Sequence, residues 1–80
     1  MASYVYYDIV VVNYNNPEDI RSMFANSIRE ARELILSSIG INTIGSFWRN
    51  DHGNIEGNTL DVSDEAQFGY EIERRCIKGL

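Results

Sequence analysis

Residues 4–12 read YVYYDIVVV, an almost unbroken run of aromatic and β-branched side chains. Such residues fit a pleated strand, and successive strand side chains point to opposite faces. Val5, Tyr7, Ile9 and Val11 then share one face, and Tyr4, Tyr6, Asp8, Val10 and Val12 share the other. Apart from Asp8, both faces are apolar or aromatic, so both call for cover. The chain has only 80 residues, and a domain of that size buries little more than roughly 60% of its unfolded surface. One long helix can shield one face. The other is left to water, a partner or a second copy, and the strand alone does not say which face that is.

The following segment reads as the helix. Asn16 is a good N-cap, Pro17 suits the first helical position, and Glu18 and Asp19 complement the positive end of the dipole. From Pro17 to about Ile39, Ile20, Phe24, Ile28, Ala31, Leu34, Ile35 and Ile39 recur at helical spacing, with Met23 on the flank. Gly40 supplies a left-handed stop, after which Ile41 is expected to pack back on Leu36. A second strand is expected over 42–50, a turn at Asn50–Asn54, and a third strand near 55–62. Gly57 and Asn58 suggest an irregular edge or a bulge in it. The segment from Ser63 to Cys76 carries both helical and alternating signals. Gly69 beside Tyr70 favours a turn at 63–66 and a strand over 68–76. The expected fold is α+β, in the order β-α-β-β-β: an antiparallel sheet of about four strands with one long helix on one face, all in a single domain spanning 1–80.

Catalytic chemistry finds little support. The pair Asp51-His52 beside Gly53 falls at an expected hairpin tip, where Asp and Gly have conformational reasons to occur, whereas acid–base work needs an orienting group together with a nucleophile or ligand set. The stretch NDHGNIEG fails as a calcium loop, because Trp48 and Thr59 fall at the positions that need carboxylates. No phosphate-binding glycine loop, zinc pair or paired cysteines are present. The expectation is a non-enzyme without cofactor or metal. Cys76 is the only cysteine, which excludes an internal disulfide and fits a reducing, cytoplasmic setting. No signal peptide is evident in MASYVYYD, and no stretch approaches the roughly 18 apolar residues of a membrane span.

Charge narrows the partners. Twelve acidic residues against seven basic ones give a net charge of −5, which disfavours phosphate backbones and membranes and favours basic surfaces. The basic cluster Arg74, Arg75 and Lys78, joined by Arg49, is too small for a nucleic-acid surface. Glu71 and Glu73 share a strand face, Glu56 lies on the preceding strand, and Asp61, Asp64 and Glu65 stand between them. Together they suggest an acidic ridge able to pair with arginines and lysines. Tyr4, Tyr6, Tyr14, Trp48 and Tyr70 form a second candidate interface; some of them must be core, but the set is larger than one helix can cover. The expected contact surface is Tyr4, Tyr6, Val10 and Val12, with Glu56, Asp64, Glu71 and Glu73 as the acidic rim.

In overall style the chain resembles the small phage-encoded anti-CRISPR proteins. The likeness lies in a compact acidic chain, the opening strand YVYYDIVVV, the segment NPEDIRSMFANSIREARELILSSIG and a closing FGYEIERR. Members of that group typically lack enzymatic motifs and occlude a surface of a CRISPR effector, some by imitating nucleic acid with carboxylates. They share no common fold, so no functional residues carry over. The resemblance implies an inhibitor acting in the host-cell cytoplasm on a basic, nucleic-acid-binding complex, without touching nucleic acid itself. The other expectation is a homodimer through the same uncovered face.

Overall fold

The opening strand is hydrogen-bonded on both sides. In the computed structural model, which describes residues 3–39, 47–60 and 66–78, β1 (Ser3–Asn13) pairs antiparallel with β2 (Asn16–Ala25) and with β5 (Ala66–Lys78). β4 (Ile55–Leu60) lies against β5, and β3 (Phe47–Arg49) closes the far edge, giving the order β2-β1-β5-β4-β3. The single helix among the described residues, α1 (Ile28–Ile39), packs on β1 and β2. The architecture is α+β with an antiparallel sheet, as expected, but it has five strands in the order β-β-α-β-β-β.

The correction concerns residues 16–25, read above as the start of the helix. Ile20 and Phe24 are four apart, a spacing that fits a helical stripe and also keeps both on one face of a strand. Asp19, Arg21, Met23 and Ala25 alternate with them and turn toward α1, while Ile20 and Phe24 are 59% and 69% exposed on the opposite side. Pro17 is tolerated because β2 is an edge strand and the proline stands near its start. Tyr14 and Asn15 form a two-residue hairpin loop, with the Asn13 side chain accepting from the Asn15 N–H at 2.9 Å. Asn16 therefore closes a hairpin. The N-cap is Ser27, whose Oγ accepts from the Glu30 N–H at 3.1 Å while its carbonyl accepts from Ala31 at 3.0 Å. Ser27-Ile28-Arg29-Glu30 spells the capping-box signal.

The helix covers the face carrying Tyr7, Ile9 and Val11. Ile9, Val11, Ala25, Ala31, Ile35, Tyr70 and Ile72 form the buried core, flanked by Met23, Ile28, Leu34, Ile55 and Phe68. Tyr70 is the member of the aromatic set that falls in the core: only 4% exposed, it stands opposite Val11 on β5, under the helix. The alternating reading of 68–76 holds, and β5 runs on to Lys78. Arg21 fastens β2 to the end of α1. It grips both oxygens of Asp19 at 3.0 Å, donates to the Ser38 carbonyl, lies 3.1 Å from the Ser38 hydroxyl and sits 5.4 Å above the Phe68 ring. A cation there complements the negative end of a helix whose own last turn has no basic residue.

The turn at Asn50–Asn54 also holds. The Asn50 N–H donates to Asn54 O at 2.9 Å and Gly53 N–H to Asn50 O at 3.0 Å, with Gly53 at a φ of 80° that favours glycine. β4 is an inner strand, and its irregularity falls between Thr59 and Leu60, beyond Gly57 and Asn58. Leu36 is half-buried; Gly40 and Ile41, its expected packing motif, lie outside the described residues, as do Asp61, Asp64 and Glu65. No helix among the described residues is long and apolar enough to cross a membrane.

The cap assignment is directly testable. Ser27→Ala is expected to cost about 1 kcal/mol in urea unfolding. Asn16→Ala, at an exposed strand end, should stay within about 0.5 kcal/mol. The reverse order would restore Asn16 as the helix start.

Candidate protein-binding face

Cross-strand register lays the helix-free face out in rungs. Tyr4 stands opposite Ile77, and Tyr6 opposite Arg75. Phe24, Asp8 and Glu73 make the next rung, followed by Ser22, Val10, Glu71, Glu56 and Trp48. Ile20, Val12, Gly69 and Asn58 form the last. All the expected contact residues that are described, namely Tyr4, Tyr6, Val10, Val12, Glu56, Glu71 and Glu73, lie on this one face. Asp64 is outside the described residues.

The face has an aromatic end, an acidic middle and a second apolar end. At the first end the Tyr4 and Tyr6 rings stack with centroids 6.1 Å apart, and Phe24 meets Tyr6 edge-on at 6.0 Å. The Tyr4 hydroxyl donates to the Asn26 side chain and so ties this cluster to the turn before α1. With Ala25 and Ile77 these residues line a depression of about 320 Å³. At the other end Tyr14 folds over Gly69 and donates to the Asn58 side chain at 2.8 Å. A Cβ on Gly69 would stand 2.2 Å from the Tyr14 hydroxyl oxygen, so the glycine is what lets the ring lie flat on the sheet. Val10, Val12, Tyr14, Gly57 and Gly69 shape a second depression there, of about 300 Å³, with Glu56 and Glu71 on its rim.

Between the ends, like charges are directly opposed, an arrangement that destabilises a sheet unless bridged. Glu56 faces Glu71, and the Asn50 amide donates to both, at 3.0 and 2.6 Å. Asp8 faces Glu73, and Arg75 Nε lies 2.9 Å from an oxygen of each. Asn54 adds donations to Glu71 at 3.1 Å and to Glu73 at 3.4 Å. The hairpin turn thus supplies the amides that hold the acidic band together. Hydrogen bonds from Asn54, then Asn50, keep the Glu71 carboxyl below the usual carboxylate range, against a smaller opposing effect of burial.

Charge is sorted between the two faces. In β1, β3, β4 and β5 all four carboxylates (Asp8, Glu56, Glu71 and Glu73) lie on the helix-free face, whereas Arg49, Arg74 and Lys78 turn to the helix side. The basic cluster seen in sequence is therefore split, with Arg75 alone on the acidic face. Apolar exposure is sorted too. Of the eight large hydrophobics exposed among the described residues, only Phe47 is on the helix side; Tyr4, Val10, Tyr14, Ile20, Phe24, Trp48 and Ile77 are all on the other. Phe24, Ile20 and Ile77 belong to the surface but escaped the sequence reading, whereas Asp8 lies on the face to which alternation assigned it. The first two were hidden by their helical spacing. Ile77 is within reach of strict alternation once β5 is extended to Lys78.

Among the described residues, no group of three or more His, Cys, Asp or Glu side chains is disposed to hold a metal ion. His52 is exposed at the hairpin tip, its N–H donating to Asn50 Oδ1 at 3.0 Å. No family model, curated protein or solved structure matches this chain.

Two measurements probe this geometry. Gly69→Ala is expected to displace the Tyr14 ring and cost about 1 kcal/mol through the lost hydrogen bond. In a Tyr14→Ala background the same change should become neutral or stabilising, because alanine suits a strand better than glycine; additive effects would contradict the contact. Glu71 has a folded pKa below its unfolded one. Its contribution is therefore complete above the ordinary carboxylate range and lost as pH falls through the lowered value. Glu71→Gln should flatten the acid limb of urea stability as pH falls through and below the ordinary carboxylate range, leaving the share of Asp19, whose carboxyl is lowered by Arg21 and Asn13.

Proposed function

We propose that this protein is a non-enzymatic inhibitor or adaptor that binds a basic protein surface through its helix-free sheet face. The observation that carries the reading is the collection on one face of seven exposed large hydrophobics around four carboxylates. Scattered exposed hydrophobics need no explanation, but a contiguous aromatic patch marks an interaction surface. Tyrosine, tryptophan and phenylalanine anchor such contacts, and the carboxylates select partners rich in arginine and lysine. The same carboxylates repel phosphate, which makes a nucleic acid or an anionic membrane a poor occupant.

Nucleic-acid-binding complexes present the required basic surfaces. The specific form of the proposal is an anti-CRISPR-type protein, acting in the cytoplasm of a host cell, that occludes a CRISPR effector by steric blockade or partial nucleic-acid mimicry. Glu56, Glu71 and Glu73 pair with the partner's basic side chains. Tyr4, Tyr6, Phe24, Val10 and Val12 supply the apolar contact, and Asp64, outside the described residues, is proposed as a further acidic contact.

The test is target-DNA binding by a purified CRISPR effector complex, with and without this chain. Wild type is expected to reduce binding, and to do so less as salt rises from about 0.1 M to about 0.5 M. The double variant Glu71→Lys/Glu73→Lys and the single variant Phe24→Asp should each lose the effect while keeping the wild-type circular dichroism spectrum. Inhibition that survives both variants would move the contact off this face, and no inhibition of any effector class would remove the anti-CRISPR form.

A further inference from the structure

We infer that the element this face receives is a basic amphipathic α-helix of the partner protein, an inference that rests on the partner-binding reading above. The first reason lies in where the sheet keeps its hydrogen-bonding groups. Strand N–H and C=O groups lie in the plane of the sheet, and across β2-β1-β5-β4-β3 neighbouring strands pair them with one another. The face therefore offers side chains alone. An extended segment laid on it would bury its own N–H and C=O groups without partners, a cost of order 1–3 kcal/mol for each group. Extended segments belong on sheet edges, whereas an α-helix satisfies its backbone internally and can lie on a face.

The pattern of the face fits the same element. Two apolar depressions, about 320 Å³ at Tyr4, Tyr6, Phe24 and Ile77 and about 300 Å³ at Val10, Val12 and Tyr14, flank the band of Asp8, Glu73, Glu71 and Glu56. From Tyr6 to Val12 is six strand residues, or about 20 Å. A helix covers that span in about 13 residues, so its apolar anchors fall some three to four turns apart with basic residues between them. α1 already packs on the other side of the sheet, and a second helix here would complete a helix–sheet–helix layering.

Charge decides against a second copy of this chain. The acidic band lies between the apolar ends, so a two-fold axis that overlays the whole face on itself sets carboxylates over carboxylates. Arg75 is the only strand cation on that face among β1, β3, β4 and β5, and it is already shared by Asp8 and Glu73. A partner helix with arginine or lysine at its centre meets no such opposition.

The experiment uses the full chain and three synthetic peptides of about 18 residues, long enough to span both depressions. The first carries leucines at i, i+4, i+11 and i+15 with arginines at i+7 and i+8, on an alanine-based helix. The second has the same composition scrambled so that no face is apolar. The third is the first with a central proline, which breaks the helix. Calorimetry is expected to show the patterned peptide binding about tenfold more tightly than either control, with helicity gained on binding. Phe24→Asp and the double variant Glu71→Lys/Glu73→Lys should each remove that preference. Equal binding of all three peptides overturns the helix while leaving a basic partner in place. If none binds, yet effector inhibition still depends on Phe24 and Glu71, the helix is again excluded and the face reading survives. A dimer in sedimentation that the Phe24→Asp change dissolves would give the face to a second copy and overturn both.

Discussion

The pairing of β1 along both of its edges is the constraint from which the other placements follow. Its backbone groups are taken up in the plane of the sheet by β2 and β5, so the strand cannot sit at an edge and both its side-chain faces become layer surfaces. Ile9 and Val11 lie on one of those surfaces and are almost wholly buried beneath Ala31 and Ile35. Because side chains alternate along the regular β1–β5 pairing, committing Ile9 and Val11 to the core commits Tyr4, Tyr6, Asp8, Val10 and Val12 to the opposite side. A one-residue slip of β1 against β5 would exchange β1's two sets and bring Asp8 and Val10 under the helix beside Tyr70 and Ile72.

The same alternation explains the sorting of charge. In β5, Glu71 and Glu73 alternate with Ile72 and Arg74, so the register that buries Ile72 places both glutamates on the open side. Register then brings Glu56 opposite Glu71 and Asp8 opposite Glu73, and the Asn50–Asn54 turn and Arg75 offset the repulsion. On the helix side a different arginine does the linking. Arg21 joins β2 to the last turn of α1 through Asp19 and Ser38, supplying from a neighbouring strand the cation the helix lacks. The two faces are thus held by separate polar networks, one beside the helix and one on the open face.

Much of this was legible from local pattern. The strand at 4–12, its division into two faces, the turn at Asn50–Asn54 and the alternation of 68–76 each rest on a short-range signal that the fold respects. The first half of the expected helix failed for a specific reason. Ile20, Phe24 and Ile28 are spaced by four, which satisfies both a 3.6-residue and a two-residue period, and Asn16-Pro17 reads equally as a helix start or as the end of a hairpin. Ser27-Ile28-Arg29-Glu30 was the local signal that separates the two, since a capping box marks a new N-terminus. Which members of the aromatic set are core was not legible, because a tyrosine carries no mark of whether its face is the covered one; Tyr70 proves to be core.

The sequence by itself determined that β1 has two apolar faces, that one helix can cover only one of them, and that the carboxylates of β5 share a side. Those are consequences of strand geometry and chain length, which need no knowledge of distant residues. Only the tertiary structure decided that residues 16–25 form a strand, that Phe24 and Ile20 join the open face, and that Glu56 stands directly opposite Glu71 and Asp8 opposite Glu73. Each of those depends on pairing register between segments far apart in the chain. Register is set by the summed burial of Ile9, Val11, Tyr70 and Ile72 under α1, a collective quantity that no local stretch of sequence contains.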